Sequence, residues 1–171
     1  MTDQRRLLDS DDLPPSANRL AAHRLHFTIQ QSTRNTYSVW LISFFIALAA
    51  SRQVPAWLSM GWVLLVGVAF TLRNHYMRGG RDRQALELNR DLWLAKFTYS
   101  TLACAAVVAT GPLLFFPAAS EASRMYMTIL LCCWLAGAMS SLGSFPRLFA
   151  AYAVCFTLGI GLGWLRAGAE Y

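Results

Sequence analysis

Charge is scarce in this chain of 171 residues: Asp, Glu, Lys and Arg together make up 14% of it, while 56% is hydrophobic. An average soluble domain is about 25% charged, so the polar surface needed to cover a water-soluble globule is missing. A disulfide framework is excluded as well. The cysteines, Cys104, Cys132, Cys133 and Cys155, all fall inside apolar stretches, where a reduced, small hydrophobic side chain is the expected state. Adjacent Cys132 and Cys133 point in two directions on a helix and lack the spacing of a metal or redox site. The polar N-terminus, Met1 to Pro15, has no apolar core after its Arg5-Arg6 pair, so it does not read as a signal peptide.

Enzyme signatures are also wanting. There is no phosphate-cradling glycine loop, no HExxH and no Ser-His-Asp arrangement in a plausible context, and Arg78-Gly-Gly-Arg-Asp82 reads as a basic loop with a flexible break. His23 and His26 can face the same way on a helix, but a metal would want further ligands and the nearest acidic residues lie in the tail. The net charge of +6 is distributed by topology rather than clustered with aromatics on one face, which argues against nucleic acid. No catalytic residue, cofactor site or metal site is therefore assigned from the sequence.

What the chain does have is five charge-free stretches separated mostly by arginines: Asn35 to Ser51, Gln53 to Leu72, Phe97 to Ser120, Met125 to Pro146 and Leu148 to Leu165. They hold 17, 20, 24, 22 and 18 residues. A bilayer core about 30 Å thick needs roughly 20 residues at about 1.5 Å of rise each, so all five fall within or close to the working range. The expected fold is all-α, a polytopic transmembrane helical bundle with five spans at about 35–51, 54–72, 93–111, 124–143 and 147–165. A disordered cytoplasmic tail over 1–17 and a cytoplasmic or interfacial lead-in helix over 18–34 precede the transmembrane domain, 35–171. Ser16 and Asn18 are plausible caps for the lead-in helix.

Spans one and two are joined by a few residues around Arg52-Gln-Val-Pro55 and form an antiparallel hairpin. The basic segment 73–92 is the one long polar connection. The third helix is expected to begin within it, rise into the bilayer as one piece and end at Gly111-Pro112 and Pro117, with Leu113 to Phe116 at the outer interface.

Lys and Arg set the orientation. With a cytoplasmic N-terminus, the inside carries Arg19, Arg24, Arg34, Arg73, Arg78, Arg81, Arg83, Arg90, Lys96 and Arg147, and the outside carries Arg52, Arg124 and Arg166. Five crossings then place Tyr171 in the periplasm, and an input module that returns its chain to the cytoplasm would need a sixth span beyond it. No ionisable residue is placed at mid-membrane depth, and Lys96 and Arg147 are read as snorkelling at the inner boundary, which disfavours transport.

Two sets of residues remain as candidate sites. Gly159 and Gly163, with Gly137 and Ser141, have the small-xxx-small spacing that lets helices approach closely in lipid, for packing between spans four and five or for a homodimer. Ser100, Thr101, Thr128, Ser140, Tyr152 and Thr157 place hydroxyls within the spans, either for helix-to-helix bonds or as the lining of a pocket for an amphipathic signal.

The layout of lead-in helix, hairpin, basic loop and Leu113-Leu-Phe-Phe-Pro117 resembles the N-terminal membrane region of bacterial sensor histidine kinases, including hybrid kinases, and of some diguanylate cyclases. Ala136-Gly-Ala-Met-Ser-Ser-Leu-Gly-Ser-Phe-Pro-Arg-Leu-Phe-Ala-Ala-Tyr152 resembles it too, with a small-residue helix end and a short turn into an aromatic-led helix. The family's phospho-acceptor block is not matched by His23, His26 or His75, so its catalysis is not carried over. The resemblance implies a sensory input module in the bacterial inner membrane, non-catalytic in this chain. A hydrophobic signal, a homodimer and a cytoplasmic effector in cis or in trans are expected with it. A small transporter or channel subunit and a stand-alone membrane scaffold are the alternatives.

Overall fold

The computed structural model describes residues 23–31, 36–81 and 89–169. The tail over 1–17 lies outside these, as do parts of the lead-in helix (18–22 and 32–34), residue 35, part of the basic loop (82–88), and residues 170–171, so the expected periplasmic placement of Tyr171 falls outside the described residues. Of the lead-in helix, 23–31 is helical, with Leu25, Thr28 and Ile29 buried on one face, spaced as i, i+3 and i+4.

Five longer helices follow: α1 (Thr36–Ala50), α2 (Ala56–Tyr76), α3 (Arg90–Phe115), α4 (Glu121–Leu142) and α5 (Pro146–Gly168), with a single 3-10 turn at Arg78–Arg81 after α2. Four of them, α2 to α5, are long and apolar enough to cross a membrane. The fifth, α1, is apolar as expected but has 15 residues in its described part, a rise of about 22 Å at roughly 1.5 Å each against a hydrocarbon core of about 30 Å, so its crossing is not shown by length alone.

The helices form a closed ring. α1 packs on α2, α2 on α3, α3 on α5, α5 on α4, and α4 back on α1. Specific contacts give the directions. The Asn74 side-chain amide, near the end of α2, donates to Thr36 Oγ1 at the start of α1 (2.7 Å), so this pair is antiparallel. Trp62 Nε1 donates to Thr110 Oγ1 (3.2 Å) at one end of the α2–α3 pair, and Arg73 donates to Thr101 at the other, so these too are antiparallel. The chain thus runs up and down five times. In a ring of five alternating helices one neighbouring pair must be parallel, and here it is α3 and α5.

That parallel seam is the most extensive in the molecule and is made close by small residues. A Cβ placed on Gly159 would sit 2.7 Å from the Ala109 carbonyl oxygen, and one on Gly163 would sit 2.8 Å from the Pro112 carbonyl oxygen. Close backbone approach is how lipid-embedded helices gain dispersion contact where no hydrophobic drive separates helix from solvent. The sequence suggested spans four and five as the partners of this face, whereas α3 is the helix that fills it.

Helix ends follow local chemistry. Ser120 caps α4 by accepting from the Ser123 amide, and Pro146 occupies the first turn of α5, where its missing N–H is not needed. Gly111-Pro112 does not end the third helix. α3 runs on to Phe115, because Pro112 removes only its own bond to the preceding turn while its carbonyl still accepts from the Phe116 amide at 3.0 Å. Phe115 and Phe116 are buried against the neighbouring helices. α2 likewise extends past the expected Leu72 to Tyr76 and carries Arg73 with it.

The outer surface of the ring is apolar: Leu41, Phe44 and Leu48 on α1, Met60, Leu64, Val68 and Leu72 on α2, and Val154, Leu158, Leu162 and Leu165 on α5 are all exposed. So continuous an apolar surface is untenable in water and matches hydrocarbon. The chain is a multi-pass, all-helical membrane protein on these grounds.

Candidate functional site: an arginine-floored cavity inside the ring

The buried stripe of α2 runs through Ser59, Trp62, Val63, Val66 and Phe70, and the next position on that face is Arg73. Helical spacing therefore turns a guanidinium into the ring, where it is only 6% exposed. Its Nη2 donates to Thr101 Oγ1 at 3.0 Å, and its central carbon lies 5.1 Å from the centre of the Phe97 ring. Both partners belong to α3, so the arginine is held in place by the neighbouring helix.

Arg73 borders a cavity of about 90 Å³ lined from all five helices. Ser38, Val39 and Ile42 come from α1, Phe70 from α2, Thr101 and Cys104 from α3, Tyr152 from α5, and the Trp134 to Leu142 stretch from α4. An aromatic cluster stiffens one wall: Phe70 meets Trp134 at 5.9 Å, Trp134 meets Phe156 at 6.0 Å, and Tyr152 stacks on Phe156 at 4.9 Å. Arg73, Thr101, Cys104, Trp134, Ser141 and Tyr152 are buried at its floor, while Ser38, Cys133 and Gly137 are exposed at its edge. The cavity thus opens sideways, between α1 and α4. The described residues lining it include no carboxylate.

Of the six hydroxyl residues singled out in the sequence, the fold brings two, Thr101 and Tyr152, to this cavity. The other four bond a carbonyl in their own helix: Ser100 to Phe97 (3.1 Å), Thr128 to Arg124 (2.8 Å), Ser140 to Gly137 (2.7 Å) and Thr157 to Ala153 (2.9 Å). Thr128 also accepts from Trp164 Nε1 at 3.2 Å, tying α4 to α5. Gly137 and Ser141, considered for packing, line the cavity instead, and a Cβ on Gly137 would meet nothing within 4 Å. Gly159 and Gly163 face α3.

Arg73, Cys104 and Trp134 were not anticipated as site residues. Reading a charge as the edge of a span assigned Arg73 to the loop, whereas α2 continues through it and turns it inward.

A buried guanidinium in surroundings of low dielectric attracts anions far more strongly than the same group in water, and its planar fork suits two oxygens at once. No protein-family model, no curated protein and no solved structure matches the chain.

Proposed function

We propose that this chain is the membrane-embedded input module of a bacterial signal-transduction protein of the two-component, histidine-kinase type. It is non-catalytic itself and works with a cytoplasmic effector in cis or in trans. The observation that carries this reading is the convergence of all five helices on one cavity. An occupant there touches every helix at once, so it favours one packing of the ring over another by the difference in its affinity for the two.

In this reading the chain sits in the inner membrane with its basic end in the cytoplasm. Arg73 and Arg78 after the long apolar run of α2, Arg90 and Lys96 at the start of α3, and Arg147 at the start of α5 share that end, against Arg52, Arg124 and Arg166 at the other. The ends of α2 and α4 and the start of α5 then carry the change to the effector, and homodimerisation belongs to the same proposal.

Gly137→Phe supplies a built-in occupant, since the space beside Gly137 is open. Spin labels at Tyr76 and Ser144 in this variant are expected to report a distance changed by about 2 Å, the scale of helix shifts in switching proteins. An unchanged distance distribution contradicts the reading.

Transport is the second reading, because an arginine turned into a membrane bundle is a residue type that marks substrate paths. Ion and fatty-acid flux through proteoliposomes separates the two: an input module moves neither.

A further inference from the structure

We infer that the cavity binds the anionic head of a single-chain amphiphile, a carboxylate or a phosphate monoester, on Arg73, with its acyl chain leaving sideways between α1 and α4 into the bilayer. This deepens the proposed function by naming the chemical class of the signal, and it rests on that reading only for its consequence, not for the binding itself.

The floor supplies the head-group chemistry. Arg73 offers a guanidinium, and Thr101, Ser141 and Tyr152 bring their side chains to the lining of the same cavity, a set of donors that suits oxygen anions. Size restricts the head. One water-sized group needs about 10–15 Å³ in this measure, so a cavity of about 90 Å³ has room for roughly six to nine. A carboxylate or a phosphate fits with a water or two, and a sugar-sized head does not.

The walls and the opening supply the tail. Val39, Ile42, Phe70, Trp134 and Leu142 make the remaining lining apolar. At the edge, Ser38, Cys133 and Gly137 are small and exposed, and nearby Leu41 and Met139 are exposed apolar residues of the lipid-facing surface. A chain leaving by this side passes from apolar wall to hydrocarbon without crossing water. Depth agrees. Arg73 lies three residues before the last residue of α2, about 4.5 Å along the axis, which is near the level where lipid head groups begin. An amphiphile already in the leaflet therefore meets the cavity at its own depth. A neutral lipid offers the guanidinium no charge-assisted bond, and a water-soluble anion gains nothing from a lipid-side opening.

The test is titration of the detergent-solubilised full chain with oleate and with a single-chain lysophosphatidic acid, read as a one-to-one adduct by native mass spectrometry. Oleyl alcohol, acetate and inorganic phosphate are the comparison probes. Binding of oleate or lysophosphatidic acid is expected to weaken at least about tenfold in Arg73→Met, the loss that follows removal of a charge-assisted pair. Arg73→Lys, which keeps the charge but loses the fork, should fall between, and Gly137→Phe should weaken binding by occluding the opening.

Oleyl alcohol binding as tightly as oleate overturns the assignment. So does acetate or phosphate displacing oleate at matching concentration, which marks a free-anion site, and so does undiminished binding in Gly137→Phe. If Arg73→Met does not fold, Arg73→Lys and Gly137→Phe decide by the same criteria. Binding that behaves as expected together with an unmoved Tyr76–Ser144 distance refutes the signalling role and leaves the ligand class standing.

Discussion

Replacing Gly159 with leucine is expected to lower the stability of the solubilised chain by about 3 kcal/mol or more, the upper range for forcing volume into a packed contact. The obstruction is backbone. A Cβ at this position already comes within 2.7 Å of the Ala109 carbonyl oxygen and 3.0 Å of the Ala109 Cα, and neither can rotate away as a flexible side chain would. The extra atoms of leucine must drive α5 off α3, and because those two form the one parallel pair of the ring, the whole closure is strained. Gly163→Leu acts on the same seam one turn further on, against Pro112 and the Phe116 ring. Gly161 lies between them and faces open space, with nothing within 4 Å of an added Cβ. Gly161→Ala should therefore be neutral or slightly stabilising, gaining up to about 1 kcal/mol of helix propensity. Thermal unfolding of the three variants in one detergent checks the ordering, and equal melting temperatures for Gly159→Leu and Gly161→Ala contradict it.

Arg124→Ala is expected to cost about 2–3 kcal/mol, from charge-assisted bonds lost at a buried site. Arg124 begins the α4 ladder yet reaches back to the end of α3, where its Nε donates to the Phe116 carbonyl at 2.7 Å and its Nη2 to the Pro117 carbonyl at 3.4 Å. The guanidinium also lies 6.0 Å from the Trp164 ring of α5. A cation at a helix C-terminus complements the partial negative charge there. One side chain thus ties three helices at the end of the ring away from the cavity, and at 6% exposure it is shielded from the screening that weakens surface charges. Arg124→Lys should recover only part of the loss, since a single ammonium cannot serve both carbonyls and the ring. Arg52→Ala and Arg166→Ala, exposed at the same end, should be near neutral. A loss at Arg124 no larger than at Arg166 would show that the clamp contributes nothing.

The helices were legible because lipid imposes a simple rule: a run without charge long enough to span reads as a helix, whatever its neighbours. Orientation of each helix about its own axis was not. In a chain whose helices are apolar all round, the side turned inward carries no contrast in hydrophobicity, so the pairing of Gly159 and Gly163 with α3 had no signal in α4 or α5 that excluded the alternative. The order of the helices around the ring decides it, and that is a property of all five helices together.

Arg73 shows the opposite failure. The same rule that found the helices treats each charge as a boundary, yet α2 keeps its backbone bonds through Arg73 to Tyr76 because nothing in Asn74-His75-Tyr76 breaks them. Its inward direction follows from the spacing Trp62, Val66, Phe70, Arg73 once the buried face of α2 is known. Thr101 and Tyr152 were picked as hydroxyls, but which of six hydroxyls would meet depended on the rotation of α3, α4 and α5, and four turned to carbonyls of their own helices instead.

Everything proposed for function depends on Arg73 lying inside the ring rather than in the water beyond α2. In a cysteine-free background, Arg73→Cys and Arg78→Cys placed in opened native membranes and treated with a charged, membrane-impermeant maleimide test this directly. Arg78, exposed beyond the end of the helix, should react rapidly, and the cysteine at 73 should react far more slowly. Equal rates at the two positions would return Arg73 to the cytoplasmic loop and remove the cavity's charge.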